Sequence, residues 1–237
     1  MKFVLDAHTH TIASGHAYST LLENIKFAAD SGLELLGVTD HAPAMKGGSS
    51  HAYFINFGTI PREIMGVQVR MGAELNIIDY DGGVDLDETC LERMDYAIAS
   101  LHPPCIPFGT LEQNTNAILR VMENPFVKIL GHPGDPRYPI DCAAIVDKAE
   151  KTGTVIEIND ASLKPDGFRK GSEVYMAEIL RLCKKKDLPI ILASDAHFAP
   201  FIGHFDNALK LIEETGFPEE LIINRSVDMF KSCLKID

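Results

Sequence analysis

Residues Phe3–His10 read FVLDAHTH, a short apolar strand that is followed at once by two histidines. Similar units recur along the chain: an apolar, β-branched run, usually a histidine or carboxylate at its end, then a segment of helical period. Seven strands are predicted, at Phe3–Asp6, Leu35–Asp40, Val67–Glu74, Tyr96–Leu101, Lys128–Gly131, Val155–Asn159 and Ile190–Ser194. Strands that alternate with helices are typical of parallel βαβ units, so the pattern favours one closed α/β barrel.

Helix-start signals support this alternation. Thr20–Glu23 and Thr110–Gln113 have the sequence of capping boxes. Other helices are expected to begin at Asp141, Ser172, Asp206 and Ser226. A doubly wound open sheet is the competing architecture, but the sequence contains no GxGxxG or Walker motif. Two long excursions, Pro43–Pro61 and Leu163–Gly171, are expected to form walls of a site.

Composition limits the classes of function. The 237 residues suit one domain, and the formal charge of −12 argues against binding a nucleic-acid backbone. The 5 cysteines form no CxxC pair and are expected to be reduced thiols. No apolar run is long enough for a membrane span, and the N-terminal residues lack the apolar region of a signal peptide. We therefore expect a cytoplasmic protein without a membrane partner.

The 9 histidines are concentrated at the ends of the predicted strands. The C-terminal ends of parallel barrel strands meet at one face, so residues far apart in sequence are expected to converge there. His8 with His10, and Asp195 with His197, are spaced to point the same way from an extended chain. Imidazole and carboxylate ligands without thiolate suit zinc, and equally iron or manganese. The candidate ligands are His8, His10, His16, His41, Glu74, His102, His132, Asp195 and His197. So many ligands imply two or three ions that share a bridging carboxylate.

These motifs resemble those of the PHP (polymerase and histidinol phosphatase) family, and within it the YcdX-type probable phosphatases. The matching stretches are DAHTH at Asp6–His10, SGHAYS at Ser14–Ser19, TDH at Thr39–His41, GAELN at Gly72–Asn76, GHPG at Gly131–Gly134, EIN at Glu157–Asn159 and SDAH at Ser194–His197. The resemblance runs from about Val4 to Leu234. It implies a distorted (β/α)7 barrel of TIM-like type, with residues 1–237 as a single PHP-type metal-dependent phosphoesterase domain.

The resemblance also implies three divalent ions, with Zn²⁺ as the expected metal and Mn²⁺ or Fe²⁺ as alternatives. One ion would take His8, His10, Glu74 and Asp195, a second Glu74, His102 and His132, and a third His16, His41 and His197. Glu74 would therefore bridge two ions, and we assign catalysis to Glu74, Asp195 and His197. Pro103-Pro104 after His102 departs from the less constrained loop expected there.

The expected reaction is hydrolysis of a small phosphomonoester by a metal-activated hydroxide. The partner would be a small phosphorylated metabolite. Arg169 and Lys170, and with less weight Arg137, are candidates to bind its phosphate, although each could equally be a solvated basic residue. His51 and His204 lie outside the ligand pattern; His51 is either a substrate contact or an exposed loop residue.

Other functions stay open at this point. A phosphodiesterase or exonuclease of the same family uses the same metals, but it needs a basic, aromatic-lined groove. No residue argues against a histidinol-phosphate phosphatase. An amidohydrolase commonly has a lysine at its fourth strand, where this chain has His102. A non-catalytic metal-binding or regulatory domain is disfavoured because no ligand position is missing.

Overall fold

The sheet has the strand arrangement that the sequence predicts. The protein is described by a computed structural model that covers residues 2–237. Its strands are β1 (Leu5–Asp6), β2 (Leu35–Val38), β3 (Glu63–Ile64), β4 (Val67–Asn76), β5 (Tyr96–Ser100), β6 (Val127–Leu130), β7 (Val155–Asn159) and β8 (Ile190–Ala193). Seven of them pair in parallel in the order β1-β2-β4-β5-β6-β7-β8, and β3 pairs antiparallel with β4. The seven predicted strands are confirmed, and the two-residue β3 was not predicted.

Helices connect the parallel strands. They are α1 (Leu21–Asp30), α2 (His51–Ile55), α3 (Glu88–Leu91), α4 (Leu111–Val121), α5 (Cys142–Thr152), α6 (Ser172–Lys185), α7 (Asp206–Thr215) and α8 (Val227–Leu234). Both predicted capping boxes form, at Thr20 and Thr110. The short helices α2 and α3 were not predicted. In residues 2–237 no helix is both long and apolar enough to span a membrane.

The core is divided in two because side chains alternate across each strand. Along β5, Ala97 and Ala99 pack in the larger cluster with the surrounding helices, whereas Tyr96 and Ile98 pack in a second cluster. The second cluster also contains residues of α8, including Phe230, whose ring lies 5.8 Å from that of Tyr96. Helix α8 thus covers the end of the barrel where β5 begins. These features give a nearly closed, distorted TIM-like barrel, as predicted.

The barrel is closed between β8 and β1 by individual hydrogen bonds, several of them from the buried side chain of Asn224. Within the described residues no strand ladder joins β8 to β1. Buried Asn224 instead accepts a hydrogen bond from Leu192 N (2.8 Å) and donates to the carbonyl oxygens of Leu192 (2.8 Å) and Leu5 (3.1 Å). Beyond the strand ends, His10 N donates to Ala196 O at 2.9 Å. The side chain of Asn224 therefore supplies hydrogen bonds that a ladder between β1 and β8 would otherwise make, and Asp6 adds another by accepting from Ser194 N.

We predict that Asn224→Ala destabilises the fold by about 3 kcal/mol, because buried backbone groups lose their partners. Denaturant unfolding of the full chain measures this. Asn116→Ala is the matched control: exposed Asn116 donates a single hydrogen bond, to Tyr80 O. The control should change the free energy of unfolding by less than about 1 kcal/mol. Equal effects of the two substitutions would contradict the role of Asn224.

Candidate metal centre

The nine predicted metal ligands lie together at the end of the barrel where the parallel strands finish. Three sets of ligand-type atoms lie within 4.8 Å of one another: His8, His10 and Glu74; His41, Glu74 and His102; and His10, His41 and His197. His132 and Asp195 join through contacts with Glu74 and His10, and His16 joins through His197. All but His16 and His197 are buried. Residues from both ends of the chain thus meet as the strand map predicts.

Glu74, at the C-terminal half of β4, is the centre of the cluster. Its Oε1 is 2.7 Å from His132 Nε2 and 3.1 Å from His102 Nε2. Its Oε2 is 2.8 Å from His41 Nδ1 and 3.4 Å from His8 Nε2. His10 Nε2 also lies 3.5 Å from Oε2, so the two oxygens face different groups of imidazoles, which is the geometry that a bridging carboxylate needs.

His16 and His197 form the side of the cluster that faces solvent, and Asp195 is buried beside them. Asp195 Oδ1 lies 3.1 Å from His10 Nε2 and 3.6 Å from His8 Nε2. His197 Nε2 is 3.0 Å from His16 Nε2, and the His197 side chain is 28% exposed. A small molecule can therefore reach the cluster past His16 and His197, while Glu74 lies below.

A second layer of polar groups orients the imidazoles. His8 Nδ1 is 2.6 Å from Glu157 Oε1, and His102 Nδ1 is 2.7 Å from Asn76 Oδ1. His10 Nδ1 is 2.9 Å from Ser14 Oγ. When Nδ1 carries the proton and donates it to such a partner, Nε2 keeps its lone pair and can bind a metal. Three rings are thus held in the tautomer that a metal centre requires.

These second-layer groups are themselves anchored. Ser14 Oγ donates to Asp40 Oδ1 at 2.6 Å. Asn76 donates to Asp85 from its side chain (2.6 Å) and its backbone (2.9 Å). Glu157 Oε2 accepts from His132 N at 2.6 Å. The ring orientations therefore depend on a continuous network, and metal binding would require little rearrangement.

Two candidate ligands have strained backbones. His132 has φ 28° and Asp195 has φ 53°, values that residues with a Cβ rarely adopt. Strain of this kind persists only where the surroundings enforce it, and it is concentrated at functional sites. The loop that carries His16 passes very close to the backbone of Gly47. A Cβ at Gly15 (φ 79°) would overlap Gly47, so this approach requires glycine. The fold therefore fixes His132 and Asp195 at an energetic cost, whereas the His16 loop depends on a glycine that adopts a positive φ without strain.

Burial and neighbouring charges set the protonation of the cluster. Burial lowers the pKa of His102 to about 4, and burial together with nearby histidines holds the pKa of His10 well below its usual range. Burial opposes ionisation of Glu74, but the rings of His102 and His8 hold its pKa well below the ordinary value. Burial also opposes protonation of His8, yet the carboxylate of Glu157 keeps its pKa high. At neutral pH, Glu74 is therefore an anion and His102 and His10 are neutral, the forms that ligate metals.

The donor set fits divalent cations. In the described chain, seven buried side-chain polar atoms lack a hydrogen-bond partner, and four of them belong to the cluster: His41 Nδ1, Glu74 Oε2, His102 Nε2 and Asp195 Oδ1. Burying such atoms without a partner costs about 1–3 kcal/mol each. Ligation by a cation would satisfy all four. Imidazole nitrogens and carboxylate oxygens are the ligands of zinc, iron and manganese sites.

Of the three predicted substrate contacts, Arg169 lies at the cluster, whereas Arg137 and Lys170 lie away from it. Arg169 reaches the cluster: its Nη2 lies 3.2 Å from His132 Nε2 and its Nη1 3.6 Å from Asp195 Oδ2. Arg137 binds Asp135 through Nε and Nη2, and Lys170 lines an outer groove of about 340 Å³. In residues 2–237 no hydrogen bond or ion pair joins Arg137 or Lys170 to the cluster.

Glu157 was not predicted as an orienting residue. Its EIN stretch is among those that resemble the PHP family, but no role was assigned to it. A carboxylate within the otherwise apolar run Val155–Ile158 was the available signal, because a buried charge in a strand needs a specific partner.

Comparison with curated proteins reveals close relatives of the whole chain. No family model matches it. A probable phosphatase of Clostridium novyi (strain NT) is 48% identical over 235 residues, 99% of this chain and 96% of the relative. A probable phosphatase of Acetivibrio thermocellus is 46% identical over the same shares. The chain belongs to this family of probable phosphatases. The predicted enzyme class, a phosphatase, is thereby confirmed.

A solved structure shares the fold of this chain. Histidinol phosphate phosphatase from Lactococcus lactis, complexed with zinc, L-histidinol and phosphate, aligns with a TM-score of 0.60. The two chains are 19% identical, and the alignment covers 90% of this chain and 94% of the other. At this identity the likeness shows a common fold.

We predict that Glu157→Gln weakens metal binding about 10- to 100-fold while the protein stays folded. Glutamine has nearly the shape of glutamate but only one acceptor oxygen, so its NH2 group must face either His8 Nδ1–H or His132 N–H, and both of these are donors. Competition with a chelating zinc indicator measures the affinity, and thermal unfolding checks the fold. Glu150→Gln, a surface change at a residue paired with Lys186, is the control. Unchanged affinity in Glu157→Gln would show that Glu157 does not orient His8.

Proposed function

We propose that this chain, as one PHP-type domain over residues 1–237, hydrolyses small phosphomonoesters at a three-metal centre. The observation that carries the proposal is the position of Glu74, whose two carboxylate oxygens face separate groups of imidazoles. One ion would be held by His8, His10, Glu74 and Asp195, a second by Glu74, His102 and His132, and a third by His16, His41 and His197. Zn²⁺ is the expected ion, with Mn²⁺ or Fe²⁺ as alternatives.

Divalent ions at such a centre supply a hydroxide nucleophile near neutral pH and neutralise the charge on phosphate oxygens. The chain's own residues would hold these ions in place and form the entrance to the site. Glu74 keeps two groups of ligands at a fixed separation, and Asp195 Oδ1 lies beside His8 and His10, with which it would hold an ion. His197, with Nδ1 held by the Asp195 carbonyl oxygen at 3.0 Å, lies at the mouth. We therefore assign catalysis to Glu74, Asp195 and His197.

Arg169 is suited to bind the phosphate of the substrate. Its guanidinium is anchored by Ser162 Oγ at 3.1 Å and points between His132 and Asp195. A planar guanidinium can donate two parallel hydrogen bonds to phosphate oxygens. Arg137 and Lys170 stay predictions with weaker support, since Arg137 is paired with Asp135 and Lys170 lines the outer groove.

The proposed substrate is a small phosphorylated metabolite. The formal charge of −12 disfavours a long nucleic-acid footprint, because repulsion would oppose every phosphate outside the cationic centre. A phosphodiesterase acting on short substrates and a histidinol-phosphate phosphatase use the same metal chemistry, and a screen of phosphate monoesters and diesters separates them. A cytoplasmic location stays a prediction.

We predict that Glu74→Gln lowers kcat/KM for an aryl phosphate roughly 100-fold or more, because the amide cannot bridge two cations. Phosphate release and metal content per chain are the measurements. Glu123→Gln, a surface change, is the control and should stay within about twofold of wild type. Chelation should abolish activity, and added Zn²⁺ or Mn²⁺ should restore it. A folded, metal-free protein with undiminished activity would refute the proposal.

Arg169→Ala is expected to raise KM for the aryl phosphate at least about 10-fold, because a charge-assisted hydrogen bond to phosphate is lost. Steady-state kinetics with intact metal content measures this. Arg181→Ala is the control, since Arg181 lies on the exposed face of α6 and pairs with Glu178. The same measurement on Arg137→Ala and Lys170→Ala tests the two weaker contacts, where we expect smaller changes. A KM unchanged in Arg169→Ala would remove this residue from the substrate site.

A further inference from the structure

A second group of metal-ligand side chains lies outside the nine-residue cluster. His51 is the first residue of α2, and Asp87 and Cys90 are the N-cap and an inner residue of α3. One donor atom from each of the three side chains lies within 4.8 Å of the others. Three different ligand types thus converge from α2 and α3, and His51 and Asp87 are about 36 residues apart in the sequence.

The local contacts leave suitable donors available. Asp87 Oδ1 caps α3 by accepting from Cys90 N at 3.0 Å, which leaves Oδ2 for another partner. The sulfur of buried Cys90 lies 3.8 Å from the carbonyl oxygen of His51, so α3 and α2 are in direct contact here. In the described chain, no ion pair involves Asp87 and no hydrogen bond involves the His51 ring. His51 and Asp87 are exposed, which gives an ion a path to the site.

We propose that His51, Asp87 and Cys90 form a separate zinc-type site, which clamps α2 to α3. Thiolate, imidazole and carboxylate are together a borderline-soft donor set that suits Zn²⁺, with water in the fourth position. Binding would release the thiol proton to solvent and bring a dication between two anions. The site is independent of the proposed hydrolysis, because none of its residues belongs to the nine-residue cluster.

The clamp would act on the wall of the candidate metal centre. Tyr53, two residues after His51 in α2, donates a hydrogen bond to Asp40 Oδ2 at 2.6 Å. Asp40 also accepts from Ser14, which contacts the ring of His10. An ion at the clamp would restrain α2, and it would thereby restrain the hydrogen bond from Tyr53 to Asp40. The role of the site is therefore structural. Binding of an ion there should raise the melting temperature of the protein, whether or not the activity changes.

Cobalt replacement tests the clamp with a signal that the main cluster cannot produce. Thiolate-to-cobalt charge transfer absorbs in the near ultraviolet, and the nine-residue cluster contains no sulfur. We expect full-length protein reconstituted with Co²⁺ to show this band. Cys90→Ser should abolish it and lower the bound metal by one ion per chain. Cys105→Ser is the matched control. Cys105 lies three residues after His102 and is the cysteine nearest in sequence to the nine-residue cluster, so this variant tests whether the thiolate signal comes from that cluster; it should keep the band.

His51→Ala provides a variant whose folding is not in question, since His51 is exposed. It should raise the Co²⁺ concentration needed for half of the band at least about tenfold. It should also reduce the rise in melting temperature that accompanies occupancy of the site. A wild-type protein without the band, a band that survives Cys90→Ser, or a band lost in Cys105→Ser would each overturn the proposal.

Discussion

The buried carboxylate of Glu74 is the constraint on which the rest of the structure depends. It is 0% exposed, and its Oε2 has no hydrogen-bond partner within the described residues. An uncompensated buried carboxylate costs several kcal/mol, so its surroundings must supply positive charge or ligated cations. The imidazoles within 3.5 Å of it, on four other strand ends and loops, are the groups that can share such cations.

The barrel tolerates this concentration of buried polar groups because they lie at one end of the strands and the apolar core lies at the other. Helix α8 and the inward residues of the strands fill one end, where Tyr96 and Phe230 meet. At the other end, where the parallel strands finish, each contributing strand places one or two polar residues in the cluster. The strained backbones of His132 and Asp195, and the anchors Glu157 and Asn76, then aim the ligand atoms at Glu74. Stability and function are thus divided between the two ends of the same strands.

The parts of the structure that local sequence determines could be predicted. Strand periodicity and the capping boxes at Thr20 and Thr110 are local signals, and histidines at strand ends converge in any parallel barrel. Closure by Asn224 could not be predicted, because Leu5 lies 219 residues away and nothing nearby indicates the contact. The pairing of Asp135 with Arg137 is local and could have been read from the sequence, whereas α2 and α3 are too short to show a helical period.

We propose that Glu74 bridges cations in a cluster of three. Anomalous diffraction from crystals of the purified protein, recorded on both sides of the absorption edge of the bound metal, tests it most directly. We expect three peaks within the nine-residue cluster, two of them within bonding distance of different oxygens of Glu74. A cluster without peaks, or peaks none of which contacts Glu74, would contradict it.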